Sequence, residues 1–130
     1  MLSPYSSEAL TVLLDLLPDF TDLVTEQDEI FRIDFITPAG WEFWLDSDDE
    51  QLTLGLAEYH CHFGSFAGST AEKDATEAAG LIQALRTGKE VLAVWYQGND
   101  YAGSSIIEAD EEPTPFLSGK ILTVQIKKWN

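Results

Sequence analysis

The pattern that most restricts this chain is the alternation of apolar and polar residues that begins at Ile30. Phe31, Ile33 and Phe35 fall on one side, Arg32 and Asp34 on the other, which is the period of a half-buried β-strand. Thr37-Pro38-Ala39-Gly40 supplies turn chemistry, with Pro early and Gly last, and Trp41, Phe43 and Leu45 resume the alternation on a returning strand. After the acidic run Asp46-Ser47-Asp48-Asp49-Glu50, residues 52–63 (Leu-Thr-Leu-Gly-Leu-Ala-Glu-Tyr-His-Cys-His-Phe) read as one further strand. A three-stranded antiparallel meander is therefore expected.

Helical periodicity brackets that meander. Ser3-Pro4 is a good helix entry, and Leu10, Leu13, Leu14 and Leu17 then recur at helical spacing until Pro18 interrupts. Residues 19–27 leave room for one short turn around Phe20, Leu23 and Val24. A second helix is expected from Ser69, which with Glu72 makes a capping box, and Ala71, Ala75, Ala78, Ile82 and Leu85 give it one apolar stripe. Gly80 costs about 1 kcal/mol against Ala in a helix interior. Close approach of these small residues to a sheet would explain it. Gly88 supplies the stop.

Val91 to Gln97 reads as a central strand that returns through Gly98-Asn99-Asp100 to Tyr101–Glu108. Glu108 to Pro115 reads as an exposed acidic loop, and Ile121 to Trp129 as a last strand whose Lys127 and Lys128 suit an edge. The expected class is α+β: one antiparallel sheet of about six strands with two helices, in the order α-βββ-α-βββ. No linker divides residues 1–130, so a single domain is expected.

Charge narrows the range of partners. The net charge is −16, and it is concentrated early: residues 1–62 carry fourteen acids against Arg32 alone, −13, while residues 63–130 sum to −3. Such a field repels phosphate backbones and anionic lipid, so neither direct nucleic-acid binding nor a membrane surface is expected; the excess acid either speeds association with a basic protein partner or merely keeps a small protein soluble. No apolar run approaches the ~20 residues of a membrane span. A single cysteine forms no internal disulfide, and the N-terminus lacks a basic n-region and cleavage site, so the cytoplasm is the expected compartment.

The sharpest chemical pattern is Glu58, His60 and His62, which share one face if residues 52–63 are a single strand. Three such side chains could bind zinc and leave a position for water. On that register, however, they continue the row of Leu52, Leu54 and Leu56, and the histidines would then simply end a core-facing row. No metal or other cofactor is expected on balance. Asp46, Asp48 and Glu50 begin like a calcium loop, but Gln51 stands where Gly is required and Ala57 where the bidentate Glu belongs. Cys61, flanked by Tyr59 and Phe63 on a strand, reads as a small buried hydrophobe. Phosphate-binding and nucleophile-elbow motifs are absent, and no enzymatic activity is expected. Among the aromatic residues Trp44 is the exception, because Trp41, Phe43 and Leu45 take the inward face. An outward Trp between Glu42 and Asp46 has the composition of an interface anchor, and a cover by the first helix would also explain it.

His60-Cys61-His62-Phe63-Gly64, the Ala- and Glu-rich helix closing in Leu85-Arg86-Thr87-Gly88-Lys89-Glu90, and the strand Val91-Leu92-Ala93-Val94-Trp95 resemble small bacterial immunity-type proteins of polymorphic toxin systems. The resemblance spans about residues 30–108. It implies a cytoplasmic, non-enzymatic inhibitor that occludes a basic toxin domain. The residues expected to meet such a partner are Glu42, Trp44, Asp46, Asp48, Asp49 and Glu50. Two rival readings remain: a small metal-binding protein or metal-dependent enzyme using Glu58, His60 and His62, and a DNA mimic that blocks a nucleic-acid-binding protein.

Overall fold

A computed structural model describes residues 1–114 and 122–130. Helix α1 spans Pro4–Leu16 and a 3-10 helix Pro18–Leu23; strands β1 (Val24–Gln27), β2 (Ile30–Ile36), β3 (Glu42–Ser47), β4 (Gln51–Leu56) and β5 (Tyr59–Gly64) follow. Helix α2 (Ala71–Arg86) leads to β6 (Glu90–Gln97), β7 (Asp100–Glu108) and β8 (Thr123–Lys127). The α+β class holds, but among the described residues the strands form two antiparallel sheets rather than one: five strands in the order β1-β2-β3-β4-β5, and three in the order β7-β6-β8. Pro115 and Ile121, the expected ends of a loop and a strand, lie outside the described residues.

Two sequence expectations about strands are corrected here. Residues 52–63 are not one strand but a hairpin, β4 and β5, folded at Ala57-Glu58 with Leu56 paired to Tyr59. In addition, the polar segment 24–27, expected to be part of a turn region, adds β1 as an edge strand against β2. The short turn expected over residues 19–27 is confined to the 3-10 helix, where Phe20 is buried.

The helices cover one face of the larger sheet. Ala9, Leu13 and Leu17 meet Ala71, Ala75, Ala78, Ile82 and Leu85, and both groups pack on Phe31, Ile33, Phe43, Leu45, Leu52, Leu54 and Leu56. Ser3 caps α1 by accepting from the Ser6 amide at 3.1 Å, with Pro4 next, as the sequence indicates. The cap of α2 lies one residue later than expected. Thr70 accepts from the Lys73 amide, while the Ser69 hydroxyl donates to Asp74 Oδ1 at 2.6 Å.

The smaller sheet joins the same core through Leu92 and Val94, and its other face carries a second cluster of Val91, Ala93, Trp95 and Ile107. Beyond β8, Trp129 reaches back to the larger sheet, 5.1 Å from Phe43 and 5.7 Å from Phe35 between ring centroids. Lys127, expected at a solvated edge, is turned inward and is only 5% exposed, although β8 is an edge of its sheet.

The expected explanation for Gly80 is also corrected. It sits on the exposed side of α2, and a Cβ added there meets nothing within 4 Å. No packing reason within the described residues opposes a side chain at this position. Gly80→Ala is expected to raise the unfolding free energy by about 0.5–1 kcal/mol in urea titration, the ordinary helix difference between the two residues. An unchanged or lower value would show that the glycine has a constraint not visible in this packing.

Candidate functional site

Because the helices bury one face of the five-stranded sheet, its alternate residues are directed to the other side. Cross-strand register sorts that outer face into rows. One row runs Thr25, Arg32, Asp46, Thr53, His62, and the next runs Asp34, Trp44, Gly55, His60. Glu42, Trp44 and Asp46 therefore share the outer side of β3, whose inward residues Phe43 and Leu45 are fully buried.

Arg32 is the hub of this face. Its guanidinium donates to Asp34 Oδ2 and to Asp46 Oδ2, each at 3.0 Å, and lies 5.2 Å from the centroid of the Trp44 ring. The indole lies over Gly55, where any Cβ would collide with it. The missing side chain on β4 is what allows Trp44 to lie against its neighbour strand. Burial pushes the Asp46 carboxyl up, and the Arg32 charge opposes but does not cancel the shift. Trp44 thus faces outward as its parity indicates, and it remains half-buried through contacts on its own sheet, not through a helix.

The acidic turn after β3 is more constrained than its composition implies. Asp48 Oδ1 accepts from the amides of Glu50 and Gln51 at 2.8 and 2.9 Å, fixing the tight turn. Glu50 Oε1 accepts from the Ser65 hydroxyl, and its carbonyl from the Ser65 amide. The adjoining Ser47 hydroxyl accepts from the Phe31 amide and bonds Ser6, pinning α1 to the turn. Asp48 and Glu50 therefore help to shape the hairpin, while Asp49 projects as an exposed charge.

Glu58, His60 and His62 do not converge. The hairpin places Glu58 in the β4–β5 turn, where Lys127 Nζ donates to its Oε1 at 2.5 Å and the Tyr96 hydroxyl to its Oε2. His60 and His62 lie exposed on β5 in the outer rows, opposite Gly55 and Thr53 rather than in line with the buried leucines. Among the described residues no three His, Cys, Asp or Glu side chains come together as a metal shell requires. The expected three-ligand geometry depended on a single strand, and the hairpin removes it.

The Lys127 ammonium lies 4.5 Å from the Trp41 ring centroid and 6.0 Å from that of Tyr96. It joins the last strand to the turn of the larger sheet. Burial works against the charge on both partners, but their mutual hydrogen bonds prevail: the Glu58 carboxyl is lowered and the Lys127 ammonium raised. A second buried lock is Asp74 on α2, fully buried, which accepts from Tyr5 Oη and Ser69 Oγ, each at 2.6 Å. Burial, then the Asp74 hydrogen bond, pushes the Tyr5 phenol up, so it remains a donor. Both Asp74 oxygens are satisfied within the fold, and sequence reading gave no signal for this group. Cys61 is half-buried against the core and its thiol is pushed up by burial, with a Tyr59 hydrogen bond opposing, so it is held as a thiol and lacks the activation a nucleophile requires.

No helix among the described residues is long and apolar enough to cross a membrane. No family model, curated protein or solved structure matches this chain.

The Glu58–Lys127 pair makes a definite pH prediction. The depressed Glu58 contributes stability above its unfolded value of about 4.3, lost as pH falls through its folded value. The raised Lys127 contributes stability below about 10.4, lost as pH rises through its folded value. Lys127→Met is expected to lower stability near neutrality by about 2 kcal/mol, less than the ~3–5 of a fully buried pair, because the Glu58 side chain keeps 30% exposure. Denaturation across pH should show the deficit shrinking at both extremes. A deficit independent of pH would assign it to packing alone.

Proposed function

We propose that this chain is a non-enzymatic protein-binding domain, and that it acts through the outer face of its five-stranded sheet and the adjoining β3–β4 turn. The observation that carries this reading is Trp44, held over Gly55 and beside Arg32 on a face that neither helix covers, with Glu42, Asp34 and Asp46 around it. A rigid, half-buried indole ringed by polar groups is the usual composition of an energetic anchor at a protein interface. It loses little side-chain freedom on docking, since its own sheet already holds it.

The partner is a basic protein. Of the expected contact residues, Glu42, Trp44 and Asp46 face outward on β3 and Asp49 is exposed on the adjoining turn, whereas Asp48 and Glu50 act chiefly by holding the turn in shape. Fourteen acids against one base in residues 1–62 accelerate encounter with positive charge and discriminate against acidic competitors. The resemblance to immunity-type proteins supports the finer reading, in which the partner is a cognate toxin domain in the cytoplasm, occluded by this face.

Co-expression with the neighbouring gene, followed by capture and titration, tests the proposal. Trp44→Ala is expected to weaken the complex by about 2 kcal/mol or more, roughly 30-fold in Kd. Glu42→Lys with Asp49→Lys should slow association, with a smaller effect at high salt. Full binding by both variants, with unaltered melting, would remove this face from the interaction.

A further inference from the structure

We propose that His60 and His62 form a two-ligand site for a late first-row divalent cation, of the zinc or copper type, on the outer face of the five-stranded sheet. The two residues are separated by one position on β5, so the pleat directs both to the same side. Their ring centroids lie 5.6 Å apart with planes at 80°. An ion about 2.0–2.1 Å from one nitrogen of each ring lies roughly 3.2 Å from each ring centre, so a tetrahedral angle at the ion separates the two centres by roughly 5 Å. The observed spacing exceeds that by about half an ångström, a difference that rotation of the exposed rings closes without movement of the strand.

The surroundings of His62 add a second, independent observation. Its Nδ1 lies 2.9 Å from Thr53 Oγ1, directly across the strand pair, and 3.5 Å from Gln51 Nε2 at the limit of hydrogen bonding. In the tautomer whose Nδ1–H donates to the Thr53 hydroxyl, Nε2 keeps its lone pair for an outside ligand; in the other, with Nδ1 accepting from the Thr53 hydroxyl and the Gln51 amide, cation binding requires the ring to change tautomer. This is the kind of outer bond that fixes tautomer and orientation in metal-binding histidines. Both rings are exposed, and a net charge of −16 raises the local concentration of cations.

Glu58 takes no part, since Lys127 and Tyr96 hold its carboxylate. Among the described residues no third His, Cys, Asp or Glu joins the pair. The remaining coordination positions are thus open to water or to a donor atom of a docked molecule. The site does not depend on the protein-binding reading, although it lies on the same face.

Calorimetric titration of the full, tag-free chain with zinc chloride and with copper(II) chloride tests the proposal without any partner. One ion per chain is expected, with copper bound more tightly than zinc, together with shifted or broadened ring signals of both histidines in NMR spectra. His60→Asn and His62→Asn should each abolish the binding heat. Thr53→Val should weaken binding about tenfold, the low end for loss of an orienting partner, and Glu58→Gln should leave affinity unchanged. All of these variants are to be compared at equal melting temperature margin. Absence of heat with either ion, or binding that survives both histidine substitutions, would overturn the site. Loss of binding in Glu58→Gln as complete as in the histidine variants would overturn its two-ligand form.

Discussion

Burial of a single face of the five-stranded meander is the constraint on which the rest of the molecule depends. Phe31, Ile33, Phe43, Leu45, Leu52, Leu54 and Leu56 are all fully buried against α1 and α2. A slip of one residue in any strand would send its apolar set to solvent, so the register is strongly specified. That same register dictates the opposite face. It aligns Arg32 with Asp46, lays Trp44 over Gly55, and sets His62 beside Thr53. The chemistry available on the outside is therefore a consequence of packing on the inside.

A second consequence concerns charge. Three of the bases are committed within the fold: Arg32 to Asp34 and Asp46, Arg86 to Asp19, and Lys127 to Glu58. Each serves as a clamp. Arg86 also lies 5.4 Å from the Phe20 ring centroid, fixing the end of α2 to the 3-10 helix, and Lys127 fixes the small sheet to the large one. The remaining carboxylates, many of them in the first 62 residues, set an acidic field that the internal pairs do little to relieve. Self-repulsion of this kind costs stability, whereas Asp74, the one buried acid among the described residues, accepts from a hydroxyl on each oxygen.

Much of this architecture is legible in the sequence because period and burial agree. The strands around Phe31–Phe35 and Phe43–Leu45, the Ser3-Pro4 helix entry and the alanine stripe of α2 all follow from side-chain spacing. The misreading of residues 52–63 has a physical cause. Ala57 takes a left-handed φ of 51°, a conformation that ordinarily signals Gly or Asn, so the turn carried no chemical mark. One trace did exist: the buried leucines occupy even positions, whereas Tyr59, Cys61 and Phe63, which pack on the same core, occupy odd ones. That change of parity is the signature of a two-residue turn. Strand β1 had no comparable trace, because Val24-Thr25-Glu26-Gln27 is mostly exposed and is held by pairing with β2. The inward turn of Lys127 was equally invisible, since its partners Glu58, Tyr96 and Trp41 are distant in sequence.

The central claim is that the face of the larger sheet opposite the two helices is the surface through which the protein acts. Amide hydrogen exchange, comparing the free chain with its complex with the co-expressed partner, tests it most directly. The account predicts slower exchange in peptides covering β3, the acidic turn and β5, with α1 and α2 unchanged. Protection confined to the two helices, with the sheet exchanging as in the free protein, would contradict it.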